Sequence, residues 1–299
     1  AMVNKKQLVC DLKELGVCKG DILNIKVSYK SIGDIEGGVN TLIKALLETV
    51  GEDGTIFTDS FVRSYTPFDM VFSPSKCVVD ERTKSYAGYV ANALIKHEKS
   101  KRSPHPIQKF VAVGAKADLV LKHTASSEPY STLYEIAQLG AKNLRIGSEN
   151  KVVGVGTTHV AIDKLKWKQK IARNGVVYLE NGKRKTFYSF WPNACRTAFN
   201  NLLPLYREFG AIINEGKIGD ADAILSDMKK TLNIEMSIGK QYPYFLKCKD
   251  PACFVCRLQW ENSNGSVAKV LFNCIKQRNL KNFAKTILWL LTKHKTKNL

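Results

Sequence analysis

The motif Gly156-Thr-Thr-His159-Val-Ala-Ile-Asp163 contains two side chains that could carry acid–base chemistry. His159 follows residues 151–156, a mostly apolar run that predicts a buried strand ending in glycine. Enzymes with α/β folds place site residues where such strands end. If residues 159–163 are helical, Asp163 lies on the same face as His159 and could orient its imidazole. A lone histidine is more often a surface residue or a hydrogen-bonded core residue, so the spacing by itself leaves that alternative open.

A second pattern, Gly33-x3-Gly37-Gly38, precedes a predicted helix and resembles a phosphate cradle. Glycine lets backbone N–H groups approach an anion closely, and the positive end of the helix dipole adds to the attraction. The same pattern also occurs in tight turns between a strand and a helix, which is the alternative here.

His105 stands between Pro104 and Pro106 in a basic loop. Both prolines restrict the backbone, which suits a side chain that must be held in one place. A ligand contact and a purely structural role both fit this pattern.

Three cysteines are clustered as Cys248-x4-Cys253-x2-Cys256 and could hold a structural zinc ion. Zinc normally takes four ligands, and no second pair of closely spaced cysteines is present to complete the set. The fourth ligand would then be Cys274, His294, Asp250 or water. Reduced structural thiols are the alternative, and five further cysteines are scattered along the chain: Cys10, Cys18, Cys77, Cys195 and Cys274.

The elements that must position these residues follow an α/β pattern. Residues 22–27 predict a strand, residues 39–50 a helix and residues 55–58 a second strand, which together make one βαβ unit. Such a unit favours a ligand site where the loop leaves the first strand. Farther along, the pattern predicts a strand at 110–114, a hairpin over 170–188 turned by Asn181-Gly182, and helices near 194–213 and 219–231.

The composition is that of a folded protein with an anionic partner. Its 44% hydrophobic content excludes a disordered chain, and 46 Lys and Arg against 27 Asp and Glu give a net charge of +19. Such a charge favours nucleic acid, an anionic membrane surface or a phosphorylated small molecule, with a merely solubilising surface as the alternative. The first residues lack the apolar run of a signal peptide, and eight cysteines without one predict a reducing cytoplasm.

Residues 266–299 contain eight basic residues and no acidic one, and their apolar residues recur at helical spacing. We therefore predict a basic amphipathic tail over 266–299, separate from an α/β domain over 1–265. The tail could contact an anionic membrane surface. Packing of its apolar face on the protein's own core is the alternative, and it is the commoner arrangement.

Several segments, in order over residues 8–165, together resemble the aminoglycoside 3-N-acetyltransferase family, which transfers acetyl from acetyl-CoA to an amino sugar. The stretch Ile25-Lys-Val-Ser28-Tyr-Lys-Ser31-Ile-Gly33 is similar to the family's VHSSLSSLG. The other matching segments are Glu36-Gly37-Gly38, Arg102-Ser103-x-His105-Pro106, Phe110-x-Ala112-x-Gly114, Glu128-Pro129-Tyr130-Ser131 and Gly154-Val155-Gly156 with His159.

The resemblance implies an α/β fold around a mixed central sheet. With the helices predicted from periodicity, we expect helices to flank this sheet and residues 266–299 to form a helical extension at the C-terminus. The resemblance also implies that CoA binds near the small-residue loop and that His159, matching the family's histidine, helps to remove the proton of the acceptor ammonium. Carried over by position, the residues expected to contact the cofactor are Ser28, Ser31, Gly33, Gly37, Gly38, Arg102, Ser103 and His105.

The chain departs from the family pattern on both the cofactor side and the acceptor side. Changes that bear on the cofactor are Ile25-Lys26 in place of the family's VH, Val27 in place of its first serine, and Lys109 in place of a later serine. On the acceptor side, the loop before the histidine is shorter, and the acid expected three residues after it is Ile162, with Asp163 one place later. A protein of charge +19 also repels polycationic aminoglycosides at long range, unless a local acidic pocket compensates.

We therefore predict an acetyl-CoA-dependent N-acetyltransferase acting on an amino sugar, with His159 as general base and Asp163 orienting it. The acceptor we expect is anionic, either nucleotide-activated or glycan-linked, in polysaccharide assembly. The rival interpretations are a basic nucleic-acid-binding protein, which lacks supporting motifs here, and a CoA-binding family member without turnover.

Overall fold

The computed structural model describes residues 2–147, 156–170, 173–190 and 195–293, which form an α/β fold as the sequence predicts. The strands are β1 (Ile22–Val27), β2 (Thr55–Asp59), β3 (Val78–Val79), β4 (Lys101–Arg102), β5 (Phe110–Gly114), β6 (Lys142–Ile146), β7 (Arg173–Glu180), β8 (Lys183–Phe190), β9 (Ile212–Ile218) and β10 (Ala221–Asp227). The α-helices are α1 (Lys5–Glu14), α2 (Val39–Val50), α3 (Pro67–Phe72), α4 (Tyr89–Ile95), α5 (Ser131–Gln138), α6 (Thr157–Lys164), α7 (Arg196–Phe199), α8 (Leu202–Glu208), α9 (Met228–Gln241), α10 (Val267–Lys276) and α11 (Leu280–Lys293).

The central sheet is mixed and has the strand order β4-β5-β2-β1-β6-β10-β9. Strand β1 pairs in parallel with β2 and β6, so the β1-α2-β2 segment is the βαβ unit expected from the sequence. Strands β5 and β10 pair antiparallel with β2 and β6. The three parallel strands therefore end at one edge of the sheet, where β5 and β10 begin, and we call this the carboxyl edge.

Helices cover both faces of the central sheet. Helices α1, α2 and α4 pack on one face, where Leu12 and Leu46 are fully buried. Helices α5, α6 and α9 pack on the other, around Leu133. Neighbouring residues of β2 serve opposite faces, Ile56 the first and Phe57 the second, because side chains alternate along a strand. Strands β3, β7 and β8 form a separate three-stranded sheet that contains the predicted Asn181-Gly182 hairpin.

The helix predicted near residues 219–231 is wrong. Strands β9 and β10 form a hairpin there, turned at Gly219 with φ of +56°, and α9 begins only after its cap Asp227. Ala221, Ala223 and Leu225 are good helix formers, but they alternate inward and are buried. Pairing with β6 outweighs their local preference. The helix predicted near 194–213 is divided into α7 and α8, and the strand predicted over 151–156 lies almost wholly outside the described residues.

The cysteine cluster differs from expectation in its fourth member. The fourth sulfur beside Cys248, Cys253 and Cys256 is that of Cys195, not a group of the tail. The expected candidates lie elsewhere: the Cys274 thiol contacts the Ala252 carbonyl oxygen at 3.6 Å, an Asp250 carboxylate oxygen accepts the Ala252 N–H, and His294 is outside the described residues.

Part of the apolar face of helices α10 and α11 packs inside the protein. Val270 and Cys274 are buried against Ala252, Phe254 and Leu258. The indole N–H of Trp289 donates to the carbonyl oxygen of Lys170 at 2.8 Å. Within the described ranges, no helix combines the length and the apolar character that crossing a membrane requires. The boundary at residue 265 stays a prediction.

Candidate active site

The carboxyl edge of the sheet brings several predicted residues together. The loop 28–38 leaves β1 there, Ser60 follows β2, and Gly147 follows β6. Helix α6, which carries His159, begins at Thr157, 11 positions after β6 ends at Ile146. Open α/β sheets bind ligands at this edge, because the loops that leave the parallel strands form a crevice there.

His159 lies in the first turn of α6 and is partly buried. Its ring stacks on that of Tyr130, with 4.8 Å between the ring centroids and 8° between the planes. Burial, together with the smaller effect of the positive charge of Lys26, lowers the pKa of His159 to about 3. The imidazole is therefore neutral at pH 7.

Two carboxylates act on Tyr130, the residue on which this histidine stacks. Asp59, the last residue of β2, lies 3.5 Å from the Lys26 ammonium and accepts a hydrogen bond from the Gln108 amide at 3.4 Å. Asp163 lies one helical turn after His159, and burial raises its pKa to about 7, with the charge of Glu128 adding to the rise. Both carboxylates raise the pKa of Tyr130, a residue that is already buried. Two carboxylates thus act on the residue on which His159 stacks, whereas the charge that acts on His159 itself is the positive charge of Lys26.

A buried polar network fixes the start of α6. The hydroxyls of Thr157 and Thr158 donate to one carboxylate oxygen of Glu235, at 3.1 and 2.8 Å, and the Tyr206 hydroxyl donates to the same oxygen. Burial raises the pKa of Glu235 to about 8, so it carries a proton at neutral pH. This network ties α6 to α8 and α9, and it sets the position from which His159 projects.

The loop 28–38 is the accessible part of the predicted cofactor site. Ser31 and Gly37 are exposed, and Ser28, Gly33 and Gly38 are half-buried. Gly33, Gly37 and Gly38 have φ of +96°, +74° and +70°, a region that favours glycine. The Ser31 hydroxyl donates to the Ser28 carbonyl oxygen at 2.7 Å. Gly38 caps α2, whose first turn contains no acidic residue and receives no hydrogen bond from a cap side chain. Anions favour such a helix start.

Arg102, Ser103 and His105 are buried to a greater degree and bind the protein itself. The Arg102 guanidinium donates to the hydroxyl and carbonyl oxygens of Ser60 and to the carbonyl oxygens of Glu81 and Thr83. The Ser103 hydroxyl accepts the Phe110 N–H at 2.8 Å. These bonds hold the segments around β4 and β5 at the carboxyl edge, and a direct contact with CoA stays a prediction for all three residues.

His105 is 1% exposed and is held from two sides. Its Nδ1 accepts the backbone N–H groups of Ile107 and Gln108, at 3.1 and 2.9 Å. Its ring stacks on that of His123, with 4.6 Å between centroids. Burial lowers its pKa to about 3, and the nearby positive groups add to that. The bonds made by Nδ1 indicate that this histidine shapes its loop.

Asp59 and Lys26 were not predicted as site residues. Asp59 comes directly after the predicted strand 55–58, and a carboxylate at the carboxyl end of a parallel strand is a signal that the sequence does contain. Lys26 was noted only as a departure from the family pattern. Tyr130 was part of a matching segment, but its stacking on His159 depends on the fold, because 28 sequence positions separate the two residues.

Comparison with known proteins matches the part of the chain that contains these segments. The profile of the aminoglycoside 3-N-acetyltransferase family matches residues 25–238. Aminoglycoside N(3)-acetyltransferase III from Salmonella sp is 27% identical over 261 residues, which cover 76% of this chain and 87% of the relative. Aminoglycoside N(3)-acetyltransferase VIII from Streptomyces fradiae is 30% identical over 161 residues, 49% of this chain and 56% of the relative.

Solved structures share the fold. Aminoglycoside acetyltransferase AAC(3)-Xa superposes with a TM-score of 0.70 at 22% identity, covering 81% of this chain and 94% of that one. AAC-IIIb in a binary complex with CoASH gives 0.68 at 20% identity over 81% and 98% of the two chains. A histidine-to-alanine mutant of AAC(3)-IVa in complex with gentamicin C1A gives 0.69 at 23% identity over 86% and 96%. Since the family profile covers more than half of its length, the chain belongs to the aminoglycoside 3-N-acetyltransferase family, and it is an acetyl-CoA-dependent N-acetyltransferase.

Proposed function

We propose that this enzyme acetylates an amine of an amino sugar at the carboxyl edge of the sheet, with His159 as general base. One observation carries the proposal: His159 is neutral at pH 7, and its ring stacks on Tyr130, a residue on which the carboxylates of Asp59 and Asp163 act. A neutral imidazole can accept a proton, and nearby carboxylates stabilise the imidazolium that forms.

The transfer removes two protons from the acceptor nitrogen, forms one carbon–nitrogen bond and breaks one carbon–sulfur bond. His159 takes the first proton from the substrate ammonium, and the freed lone pair attacks the thioester carbonyl carbon of acetyl-CoA. The nitrogen of the tetrahedral intermediate loses its second proton as the carbon–sulfur bond breaks, and the CoA thiolate that leaves takes up a proton, so that one proton in total passes to solvent. Asp163, as a carboxylate, supports the charged imidazole during the first step.

The cofactor part of the proposal places CoA phosphates at the loop 28–38 and the start of α2. Gly38→Ala tests it. Gly38 has φ of +70°, a region that favours glycine, and an added Cβ would obstruct the approach of an anion to the backbone N–H groups. Gly140→Ala is the matched control, since Gly140 has φ of +80°, has open space around its Cβ position and precedes β6 at the opposite edge. We expect Gly38→Ala to raise the Kd for CoA and Gly140→Ala to leave it unchanged. Equal affinities in the two variants would contradict the site.

The proposal also concerns the acceptor, and two observations favour acceptors of opposite charge. Asp59 and Asp163 act on Tyr130 beside the base, and Glu128 acts on Asp163, so carboxylates that could attract a cationic aminoglycoside are present, and the relatives are named for such substrates. The overall charge of +19 favours the anionic amino sugar of polysaccharide assembly. We propose the cationic acceptor as the first candidate, because short-range carboxylates act where the amine binds, and we keep the anionic one as the second.

A turnover assay separates these candidates. The enzyme is incubated with acetyl-CoA and, in parallel, with gentamicin C1A, sisomicin and a nucleotide-activated amino sugar, while CoA release is measured and products are identified by mass spectrometry. N-acetylation of an aminoglycoside supports the first acceptor, and N-acetylation of the nucleotide sugar alone supports the second. CoA binding without transfer to any amine would instead favour a family member without turnover.

A contact between the tail and an anionic membrane stays part of the proposal. Phe272, Ile275, Leu280 and Leu288 are exposed, and the lysines at 269, 276, 281 and 285 lie on the same two helices. Co-sedimentation with anionic vesicles tests the contact, which should weaken in high salt. Protein that stays in the supernatant at low salt would contradict it.

A further inference from the structure

Four cysteine sulfurs meet at one point outside the acetyl-transfer site. Cys195 lies just before α7, and the other three lie between α9 and α10: Cys248, Cys253 and Cys256. All four sulfur atoms are within 4.8 Å of one another. We propose that these four cysteines bind one structural zinc ion.

The sulfur spacing agrees with tetrahedral coordination. Four sulfurs at the usual zinc–sulfur distance of about 2.3 Å from a common centre are about 3.8 Å apart. The Sγ atoms of Cys195 and Cys253 are 3.7 Å apart. A disulfide instead requires about 2.0 Å between the sulfurs, so the arrangement is that of four separate ligands.

The surroundings suit a zinc–thiolate centre. Four thiolates with one zinc ion carry a net charge of −2, and three basic residues flank the cluster in sequence: Lys247, Lys249 and Arg257. The backbone N–H of Cys248 donates to the Cys256 sulfur at 3.2 Å, a bond that stabilises a thiolate ligand. The Arg257 guanidinium binds the carbonyl oxygens of Cys248 and Asp250, which fixes the turn that presents the sulfurs.

The position of the cluster gives the ion a structural role. It would join Cys195, after the β7–β8 hairpin, to a segment 53 positions later in the chain. That segment supports α10 and α11 through a small apolar cluster that includes Phe254, Leu258 and Val270. Small cores gain much of their stability from such metal sites. We commit to zinc because tetrahedral thiolate sites hold zinc or iron, and acetyl transfer has no redox step that iron would serve.

Metal analysis of the wild-type protein is the first test. The full chain is purified without added metal and without chelator, and zinc and iron are measured against protein concentration. We expect about one zinc per chain, the stoichiometry of a Cys₄ site. Folded protein without zinc, protein containing iron instead, or two disulfides among these cysteines would each overturn the proposal.

A cysteine variant with a matched control assigns the ligands. Cys253→Ser should lose zinc, whereas Cys274→Ser should retain it, because Cys274 is also buried but its thiol contacts the Ala252 carbonyl oxygen and is not one of the four clustered sulfurs. If Cys253→Ser does not fold, wild-type protein treated with a mercurial reagent replaces it, and zinc release should follow modification of the four cluster thiols. Zinc retained in Cys253→Ser, or lost equally in Cys274→Ser, would overturn the assignment.

Discussion

Two histidines of this enzyme have similar surroundings and different partners. His105 and His159 each stack on an aromatic ring, at 4.6 and 4.8 Å, and burial lowers the pKa of each to about 3. The Nδ1 of His105, however, accepts two backbone N–H groups. His159 is partly exposed, and the Tyr130 ring on which it stacks lies near Asp59 and Asp163.

This difference shows that a lowered histidine pKa does not by itself identify a base. A histidine held by backbone donors stabilises a loop, and protonating it would break those bonds. A histidine with carboxylates at hand can become an imidazolium during a reaction, because their charge offsets the new positive charge. The predictions below separate the two roles.

The largest expected effect is the loss of turnover in His159→Ala. Removing a general base typically costs about 10²–10⁴ in rate. We expect a decrease of that order in kcat, with the Kd for acetyl-CoA unchanged, measured by steady-state kinetics and by calorimetric titration. Turnover near the wild-type level would remove His159 from the mechanism and make His105 the next candidate.

His105→Ala should instead act on stability. The substitution leaves two buried N–H groups without their acceptor, and each such group costs about 1–3 kcal/mol. We expect the free energy of unfolding to fall by about 2–4 kcal/mol, with kcat per folded molecule changed by less than about threefold. Denaturant titration and kinetics measure the two quantities. An intact fold with a raised Kd for CoA would show the cofactor contact that the sequence predicts.

The pH dependence of stability follows from the same pKa. Because the pKa of folded His105 is lowered to about 3, the unfolded chain binds more protons below about pH 6.5, and stability is lost as the pH falls from there. His105→Ala should reduce part of that acid sensitivity.

Asp163→Asn should change the pH profile of turnover. The pKa of Asp163 is raised to about 7, so its carboxylate form, which supports the imidazolium, is present above that pH. Wild-type kcat should therefore rise as the pH increases through 7, and the variant should lack this rise. At pH 8 we expect a loss of about tenfold, smaller than that from removing the base. A rise that persists in Asp163→Asn would assign it to another group.

The sequence predicted the parts of this site that depend on local patterns. The βαβ unit and His159 follow from apolar periodicity and family motifs, because β1, β2 and α2 each carry their own apolar pattern. The edge hairpin β9–β10 was not predicted, since Ala221, Ala223 and Leu225 fit a helix as well as a strand. Only pairing with β6, 77 positions earlier at Ile146↔Ala223, distinguishes them.

Long-range partners explain the other omissions. The stack of Tyr130 on His159 and the charge of Lys26 near it join three separate elements, and no spacing rule connects them. The same holds for Cys195, which lies 53 positions from Cys248. Its role in the cluster was not visible because zinc motifs are recognised by closely spaced pairs.

Lys26→Met should give the smallest effect and the sharpest separation of the two histidines. The Lys26 charge adds to the effect of burial on the pKa of His159, whereas the titratable groups that act on His105 are His123 and Lys109. Because the side chain of Lys26 is 39% exposed, solvent screens its charge, and we expect a rise in the His159 pKa smaller than the shift caused by burial. The pKa of His105 should not change. Titration of both imidazoles by NMR measures this, and an equal rise at His105, or none at His159, would mean that Lys26 does not act on the base.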